Sequence, residues 1–395
     1  MTARRVFVYV QHLLGIGHLR RAVTLANALA AHGLEVTLAS GGFAVPDLEL
    51  RGVRLVQLPP VGSGDCGFKS LVDANGVPID AAWKARRRDM LLEAWRACES
   101  HALVVELFPF GRRQMRFELV PLLEAASGAR HRPVIASSVR DVLGGGQNDP
   151  ARQDEMLAVF EKYFDRLLVH GDPALIALGR TFRHAGRISD KLHYTGYVVE
   201  PESCSAVTSG GHAMAGTGEV LVSAGGGAVG RRLLETAIRA RPLSGLANRT
   251  WRILVGVNAG APEMDALSGL AAATGEGRVV VERARPDFVR MLRNCELSVS
   301  QGGYNTVMEI LQAGARSVVV PFAGGAETEQ TLRTRLLADR GMLEMVEEST
   351  LDPGTLAAAV DCAAARPRRT AEGIDLGGAR RTATLLEEWT AGAGW

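Results

Sequence analysis

Short apolar runs rich in β-branched residues recur along this chain, and most lead through a glycine-bearing turn into a stretch whose apolar positions return every three or four residues. The runs suit strands buried on both faces, and the stretches between them suit amphipathic helices. Residues 6–10 open the series, a loop over 11–17 leads into a helix over 19–31 that stops near Gly33, and residues 36–39 give the next strand. Further strands are predicted over 103–106, 134–137, 167–170, 193–198, 219–223, 251–255, 278–281, 297–299 and 317–320, with helices over 85–99, 230–239, 304–313 and 379–389. Alternation of this kind predicts an α/β protein built on parallel sheets. Residues 43–83, with Pro59-Pro60 and Gly62-Ser63-Gly64, lack a regular period and read as a long surface loop.

At 395 residues the chain is long for one core, which predicts two domains of roughly 200 residues each. The composition changes over 202–218, where Ser-Gly-Gly and Ala-Gly-Thr-Gly mark a linker, so the domains are drawn at 1–200 and 219–378, with 201–218 between them and a final helix in 379–395. A net charge of +2 and the lack of a basic stripe interleaved with aromatics argue against nucleic acid as a partner. Five cysteines, odd in number and without CxxC spacing, indicate neither a zinc site nor a disulfide framework and fit a reducing cytoplasm. The apolar run at 6–10 is shorter than the roughly 7 to 15 residues of a signal-peptide core, and no run approaches the roughly 18 of a membrane span.

Candidate chemistry concentrates where strands end. Gly302-Gly303 separate a strand from a helix, leaving unshielded backbone N–H groups at the positive end of the helix dipole, where a phosphate is the expected guest. Asn305, Glu309 and Gln312 fall at i, i+4 and i+7 on that helix, and Glu309 is the only charge between Glu296 and Arg316. Such a carboxylate either lies on a solvent-facing stripe or points toward a ligand, and one turn from a phosphate it suits a ribose diol. Near the other end of the chain, Gly15-Ile16-Gly17-His18 has too few glycines for a dinucleotide fingerprint and no acidic residue at the required distance, which disfavours a nicotinamide enzyme. His18 falls where a helix begins; the dipole there keeps imidazole neutral and able to accept a proton, the plainer alternative being a polar helix cap. Glu106 ends a strand, and Arg112-Arg113 follow it either as a solvated helix start or as a grip on an anion. Arg140-Asp141, leading to Gly144-Gly145-Gly146, and His170 with Asp172 stand at equivalent strand ends, as rivals or partners to His18. No Asp-x-Asp metal motif occurs.

The run from Ser300 to Glu309 (Ser-Gln-Gly-Gly-Tyr-Asn-Thr-Val-Met-Glu), then Val320-Pro321-Phe322 and Glu327-Thr328-Glu329-Gln330, resembles the donor-binding half of GT-B glycosyltransferases of the MurG type. The likeness is specific over roughly 220–340, is supported by Gly15 to His18, and is faint over 69–152. That family's archetype moves N-acetylglucosamine from UDP to a lipid-linked acceptor. The resemblance implies two Rossmann-like doubly wound domains facing across a cleft, an acceptor-binding one at 1–200 and a nucleotide-sugar-binding one at 219–378, with the terminal helix crossing back to the first. It places Gly302 and Gly303 on the donor diphosphate together with the turn Gly225-Gly226-Gly227, Glu309 on the ribose, and Glu327, Glu329 and Gln330 on sugar hydroxyls, with Gln301, Asn305 and Thr306 as further donor-binding candidates. The archetype carries Gln where this chain has Glu329. His18 matches the Gly-His at the inter-domain cleft and is the expected base, with Glu106 and Asp141 as catalytic carboxylate candidates and Gly17, Arg112, Arg140 and His170 as acceptor contacts.

The implied activity is inverting, metal-independent transfer from a nucleotide-diphosphate sugar, a UDP-sugar such as UDP-N-acetylglucosamine, to a hydroxyl or amine. The nucleotide sugar is a co-substrate, and no cofactor is expected. Two alternatives share the fold: a non-hydrolysing UDP-sugar 2-epimerase, which needs no acceptor, and a non-catalytic partner that binds a nucleotide sugar. The 43–83 loop is then expected to close over an acceptor. Enzymes of the MurG type often act at a membrane face, and Arg86-Arg87-Arg88 with Arg112-Arg113 offer charge for peripheral contact, although short arginine runs are more often solvated.

Overall fold

In the first strand, β1 (Arg5–Val10), Phe7 and Tyr9 point into one apolar cluster while Val6, Val8 and Val10 point into another, so both faces are buried. That two-sided burial is the signature of a parallel sheet covered by helices. The computed structural model describes residues 4–13, 15–45, 48–64, 70–144, 149–200, 215–224, 230–256, 259–324, 328–369 and 371–391. The chain divides into two units, Met1–Glu200 with Asp375–Trp395, and Pro201–Ile374.

The first unit continues with α1 (Gly17–Ala31), β2 (Glu35–Ser40), β3 (Val53–Gln57), β4 (Gly62–Ser63), β5 (Leu71–Val72), α2 (Ala81–Cys98), β6 (Ala102–Glu106), α3 (Arg116–Ser127), β7 (Val134–Arg140), α4 (Pro150–Tyr163), β8 (Arg166–His170) and β9 (Leu192–Tyr194). Among the described residues, seven of these strands form one parallel sheet in the order β3-β2-β1-β6-β7-β8-β9, while β4 and β5 pair antiparallel. The connections run outward in both directions from β1 and β6, which makes their carboxyl ends the switch point where open α/β sheets leave a crevice.

The second unit holds β10 (Val220–Ser223), α5 (Arg231–Ala240), β11 (Trp251–Val255), α6 (Ala261–Thr274), β12 (Val279–Arg283), α7 (Phe288–Asn294), β13 (Leu297–Gln301), α8 (Tyr304–Ala313), β14 (Ser317–Val320), α9 (Glu329–Asp339), β15 (Glu344–Met345) and α10 (Pro353–Ala364). Its parallel sheet runs β12-β11-β10-β13-β14-β15, with the switch point at β10 and β13. Gly314 ends α8 in the left-handed region at φ 61°, as its position in the sequence predicts. The fold class is thus two Rossmann-like α/β units.

The last helix, α11 (Gly378–Ala391), belongs to the first unit, whose returning segment starts at Asp375, slightly ahead of residue 379. Ala383, Leu385 and Leu386 join the cluster of Leu19, Ala22, Val23 and Ala26 on α1, and His32 Nε2 lies 2.9 Å from Glu387 Oε2. Gly378 is required where this segment passes Gly196 and Tyr197, because an added Cβ would lie 2.4 Å from the Gly196 carbonyl oxygen.

Two expectations need correction. The irregular 43–83 stretch contains β3, an edge strand paired to β2, whose outward Arg54 and half-exposed Leu55 mask its strand pattern. Arg87 is not part of a solvated arginine face. Its Nε donates to Glu118 Oε2 at 2.7 Å and its Nη2 to Glu118 Oε1 at 2.9 Å, while Nη1 donates to the Gly41 carbonyl at 2.7 Å and Nη2 also to Gln11 Oε1 at 2.6 Å. Tyr9 adds its hydroxyl to Glu118, and Arg87, Glu118, Tyr9 and Gln11 are all fully buried. The network ties α2 and α3 to the loop after β1.

Removing one member of a buried ion pair strands the other charge. Glu118→Ala is expected to cost about 3–5 kcal/mol, read as a lowered denaturant midpoint; a loss below about 1 kcal/mol, the range of exposed pairs, would show that Arg87 finds water instead.

Candidate functional site

At the switch point of the first unit, Gly17 and His18 open α1, and Arg21 follows one turn later on the same face. His18 Nδ1 lies 2.9 Å from Glu106 Oε1 at the end of β6, and Arg21 Nη2 donates to that same oxygen. The other Glu106 oxygen accepts from Ser138 Oγ at 2.7 Å, Ser138 Oγ lies 3.0 Å from His170 Nε2, and His170 Nδ1 lies 2.9 Å from Thr195 Oγ1. Glu106, Ser138, His170 and Thr195 are buried, whereas the His18 side chain keeps 15% of its surface exposed, so solvent reaches the network at His18.

Charge decides which proton sits where. Burial alone would raise the Glu106 pKa, but Arg21 and the hydrogen bonds from His18 and Ser138 outweigh it and hold the carboxyl well below its ordinary value. An ionised carboxylate only accepts, so the His18 proton is on Nδ1 and the lone pair on Nε2. Among the described residues Nε2 takes no hydrogen bond. Burial first, then the Arg140 and Arg112 guanidiniums, lower the His18 pKa to about 3 against the opposing pull of Glu106, which keeps the ring neutral. Arg112, at φ 57°, donates from Nε to the Gln11 carbonyl at 2.7 Å. Its own pKa is pushed down to about 10, chiefly by burial and also by Arg140 and Arg21, with Glu106 opposing. Arg21 acts on Glu106, and Arg112 and Arg140 act on His18, so three guanidiniums surround the pair.

The other candidates of this unit fall in different places. Asp141 is fully buried; its Oδ1 accepts from the Val142 backbone N–H at 3.0 Å and its Oδ2 from the Tyr197 hydroxyl at 3.0 Å, which fixes the loop after β7. His170 joins the chain behind Glu106, but with no exposed surface it offers nothing to an incoming molecule. Asp172 Oδ2 accepts from the Asp375 N–H at 3.0 Å and anchors the returning segment. Gly17, Arg112 and Arg140 lie within or beside the His18 neighbourhood and are partly accessible.

In the second unit Gly303 caps α8, and a Cβ added there would meet nothing within 4 Å, so the approach to its backbone is open. Gly302 is the reverse: a Cβ would lie 3.0 Å from Thr334 Oγ1, 3.1 Å from Pro321 Cα and 3.3 Å from Gln330 Oε1. Tyr304, Val307, Met308, Ile310 and Leu311 bury one side of α8, leaving Asn305, Thr306, Glu309 and Gln312 half-buried along the other, with Gln301 half-buried at the end of β13. Gln330 Oε1 accepts from the Phe322 N–H at 3.1 Å. Glu329 Oε1 accepts from Arg333 Nη2 at 2.8 Å, and the buried Arg333 lies over the Tyr304 ring at 5.0 Å. Gly225, Gly226, Gly227, Glu327, Gly145 and Gly146 lie outside the described residues. Sequence reasoning missed Arg21, Ser138, Thr195 and Arg333; only Arg21, three residues after His18, carried a readable signal.

His18 and His170 are held neutral in the fold, with pKa values lowered to about 3, whereas in the unfolded chain both protonate below about 6.5. Unfolding therefore takes up protons, so their contribution to stability is whole above pH 6.5 and is lost as pH falls toward 3. The expected result is a Tm that declines through this window more shallowly in His18→Gln than in wild type; equal slopes would contradict a neutral, buried His18.

Residues 260–375 match the glycosyltransferase family 28 C-terminal domain. The UDP-N-acetylglucosamine--N-acetylmuramyl-(pentapeptide) pyrophosphoryl-undecaprenol N-acetylglucosamine transferase of Ralstonia nicotianae is 29% identical over 143 residues, 36% of this chain and 39% of that protein. The protein of the same name from Nitrosomonas europaea is 24% identical over 308 residues, 72% of this chain and 82% of that one. The chain thus spans well under two thirds of the length of the first of these relatives. Among solved structures, Acinetobacter baumannii MurG aligns with a TM-score of 0.60 at 14% identity, covering 98% of this chain and 99% of that one. The calicheamicin glycosyltransferase CalG4 aligns at 0.63 and 16%, with both chains covered in full. At such identities the structures establish the fold. The chain is MurG-like, a protein of GT-B fold carrying a family 28 C-terminal segment.

Proposed function

We propose that this protein is an inverting glycosyltransferase that moves a sugar from a nucleotide-diphosphate donor to a hydroxyl or amine. The observation that carries the reading is His18: neutral, with its Nδ1 proton on an ionised Glu106 and Nε2 bare at the exposed end of a buried network. Nε2 takes the acceptor's proton as its oxygen or nitrogen attacks the anomeric carbon, the glycosidic bond to the diphosphate breaks, and Glu106 steadies the imidazolium that forms. In the second unit, backbone N–H groups at Gly303 and the positive end of α8 meet the charge developing on the departing diphosphate, so the scheme needs no metal ion. Glu309, one turn along α8, takes the ribose diol, and Gln330 and Glu327 remain the proposed partners of sugar hydroxyls. Glu329 shares that role only if it leaves Arg333.

A UDP-sugar is the proposed donor, because the printed names of the relatives specify UDP-N-acetylglucosamine. A base with a pKa near 3 is weak at neutral pH. An acceptor bearing negative charge against Arg112 and Arg140 would offset the part of the His18 depression that these guanidiniums cause, burial being the larger part, and so strengthen the base. The relatives' acceptor is named as a pyrophosphoryl-undecaprenol, which is anionic and lipid-linked. Among the described residues no helix is long and apolar enough to cross a membrane, so contact with such an acceptor is proposed to be peripheral, from the cytoplasmic side.

Calorimetry with UDP, GDP, dTDP and CDP should show one nucleotide binding, weakened about tenfold or about 1.4 kcal/mol by Glu309→Ala; binding of none would sink the donor assignment. With that nucleotide's sugars, His18→Ala should leave donor affinity intact and lower turnover about 10²–10⁴-fold. Unchanged turnover would put the base elsewhere, and an isomerised nucleotide sugar formed without acceptor would point to an epimerase.

A further inference from the structure

The carboxylate that orients His18 is itself held from behind. Glu106 and Ser138 are direct register partners on β6 and β7, so their side chains stand side by side on one face of the sheet. His170 ends β8, and Thr195 follows β9, so the hydrogen-bonded chain from His18 crosses the carboxyl ends of four adjacent strands. Its proton order follows from one end. Ionised Glu106 only accepts, so the Ser138 hydroxyl proton points at Oε2, 2.7 Å away. The Ser138 lone pairs then face His170 Nε2 at 3.0 Å, which must carry a proton, and His170 Nδ1 is left to accept from Thr195 Oγ1 at 2.9 Å. The Thr195 hydroxyl also reaches the Gly196 carbonyl at 2.9 Å and that of Val169 at 3.4 Å, so the order is set from the Glu106 end, where full burial removes water as an alternative partner.

We propose that Ser138 and His170 are positioning residues, which hold Glu106 by its far oxygen so that its near oxygen fixes His18 in the Nδ1–H tautomer with Nε2 presented outward. The consequence for rate rests on the proposed glycosyltransferase reading, whereas the tautomer and its dependence on Ser138 do not. Without the Ser138 hydroxyl, Glu106 loses a donor that stabilises its charge and becomes a stronger acceptor for the His18 proton. The His18 pKa then rises, against an unchanged background of Arg21 from α1, Arg112 from the loop after β6 and Arg140 from β7. His170 acts on the same oxygen through Ser138, so its loss moves His18 in the same direction by less.

Long-range proton–nitrogen correlation spectra of the full chain, with ¹⁵N-labelled histidine, report tautomer and pKa ring by ring. In wild type, His18 is expected as Nδ1–H and His170 as Nε2–H. In Ser138→Ala the His18 pKa should rise by about half a pH unit or more. His170→Phe should show a smaller rise, and His170→Gln, whose amide can still donate to Ser138, should remain at the wild-type value. The acid limb of kcat/KM should move with the spectra. An Nδ1–H tautomer at His170, or a His18 pKa unmoved in folded Ser138→Ala and His170→Phe, would overturn the proposal and leave the chain as packing. Turnover insensitive to His18→Ala would sink the catalytic reading alone, since the spectra need no substrate.

Discussion

A parallel sheet covered on both faces by helices leaves its side chains one place to meet a ligand, the rim beyond the carboxyl ends of the strands. Everything of chemical interest in this protein obeys that constraint. His18 follows β1 and Glu106 ends β6, the two strands from which the first sheet is wound outward; Gly303 follows β13, which plays the same part in the second. The alternation that buries Phe7 and Tyr9 on one side of β1 and Val6, Val8 and Val10 on the other is therefore what brings the loop after it to the rim.

Two buried ionic networks stand out among the described residues of the first unit, and their difference is instructive. Arg87, Glu118, Tyr9 and Gln11 are sealed, with every strong hydrogen bond directed at backbone or at one another, and they hold the loop that carries Gly15 to His18. Arg21, Glu106, Ser138 and His170 are equally buried but end at a partly exposed imidazole. A sealed network of charges is an expensive way to stiffen a loop compared with apolar packing. One that opens at a single titratable ring sets the proton affinity of that ring, which packing cannot do.

Much of this was legible in the amino-acid order, and the limits have physical causes. Strand-length β-branched runs, the glycine turns, the polar stripe of α8 and the placing of His18 at a helix start are local features, and local features survive in sequence. β3 escaped because an edge strand half open to solvent carries Arg54 where a central strand would carry an apolar residue. Arg87 escaped because successive helix positions turn by about 100°, so one arginine of three can face inward while its neighbours stay in solvent. That Ser138 would meet Glu106 with His170 behind it could not be read at all, and of Arg21 only its place one turn after His18 could. These residues are separated by 32 to 85 positions from the carboxylate or from one another along that chain of contacts, and only the strand order makes them neighbours. Similarly, the ion pair of Glu329 with Arg333 is local in sequence, but its burial against Tyr304 is not.

The first unit is discontinuous: its last layer, α11, is supplied by residues made after the whole of the second unit. During synthesis the face of α1 formed by Leu19, Ala22, Val23 and Ala26 must wait uncovered while roughly 170 intervening residues emerge, a delay of order ten seconds or more at about 5–20 residues per second. The segment that starts with the site's histidine is thus among the last to be sealed. A chain cut short before Gly378 would carry a nearly complete second unit and a first unit whose α1 face is still open to chaperones and to aggregation.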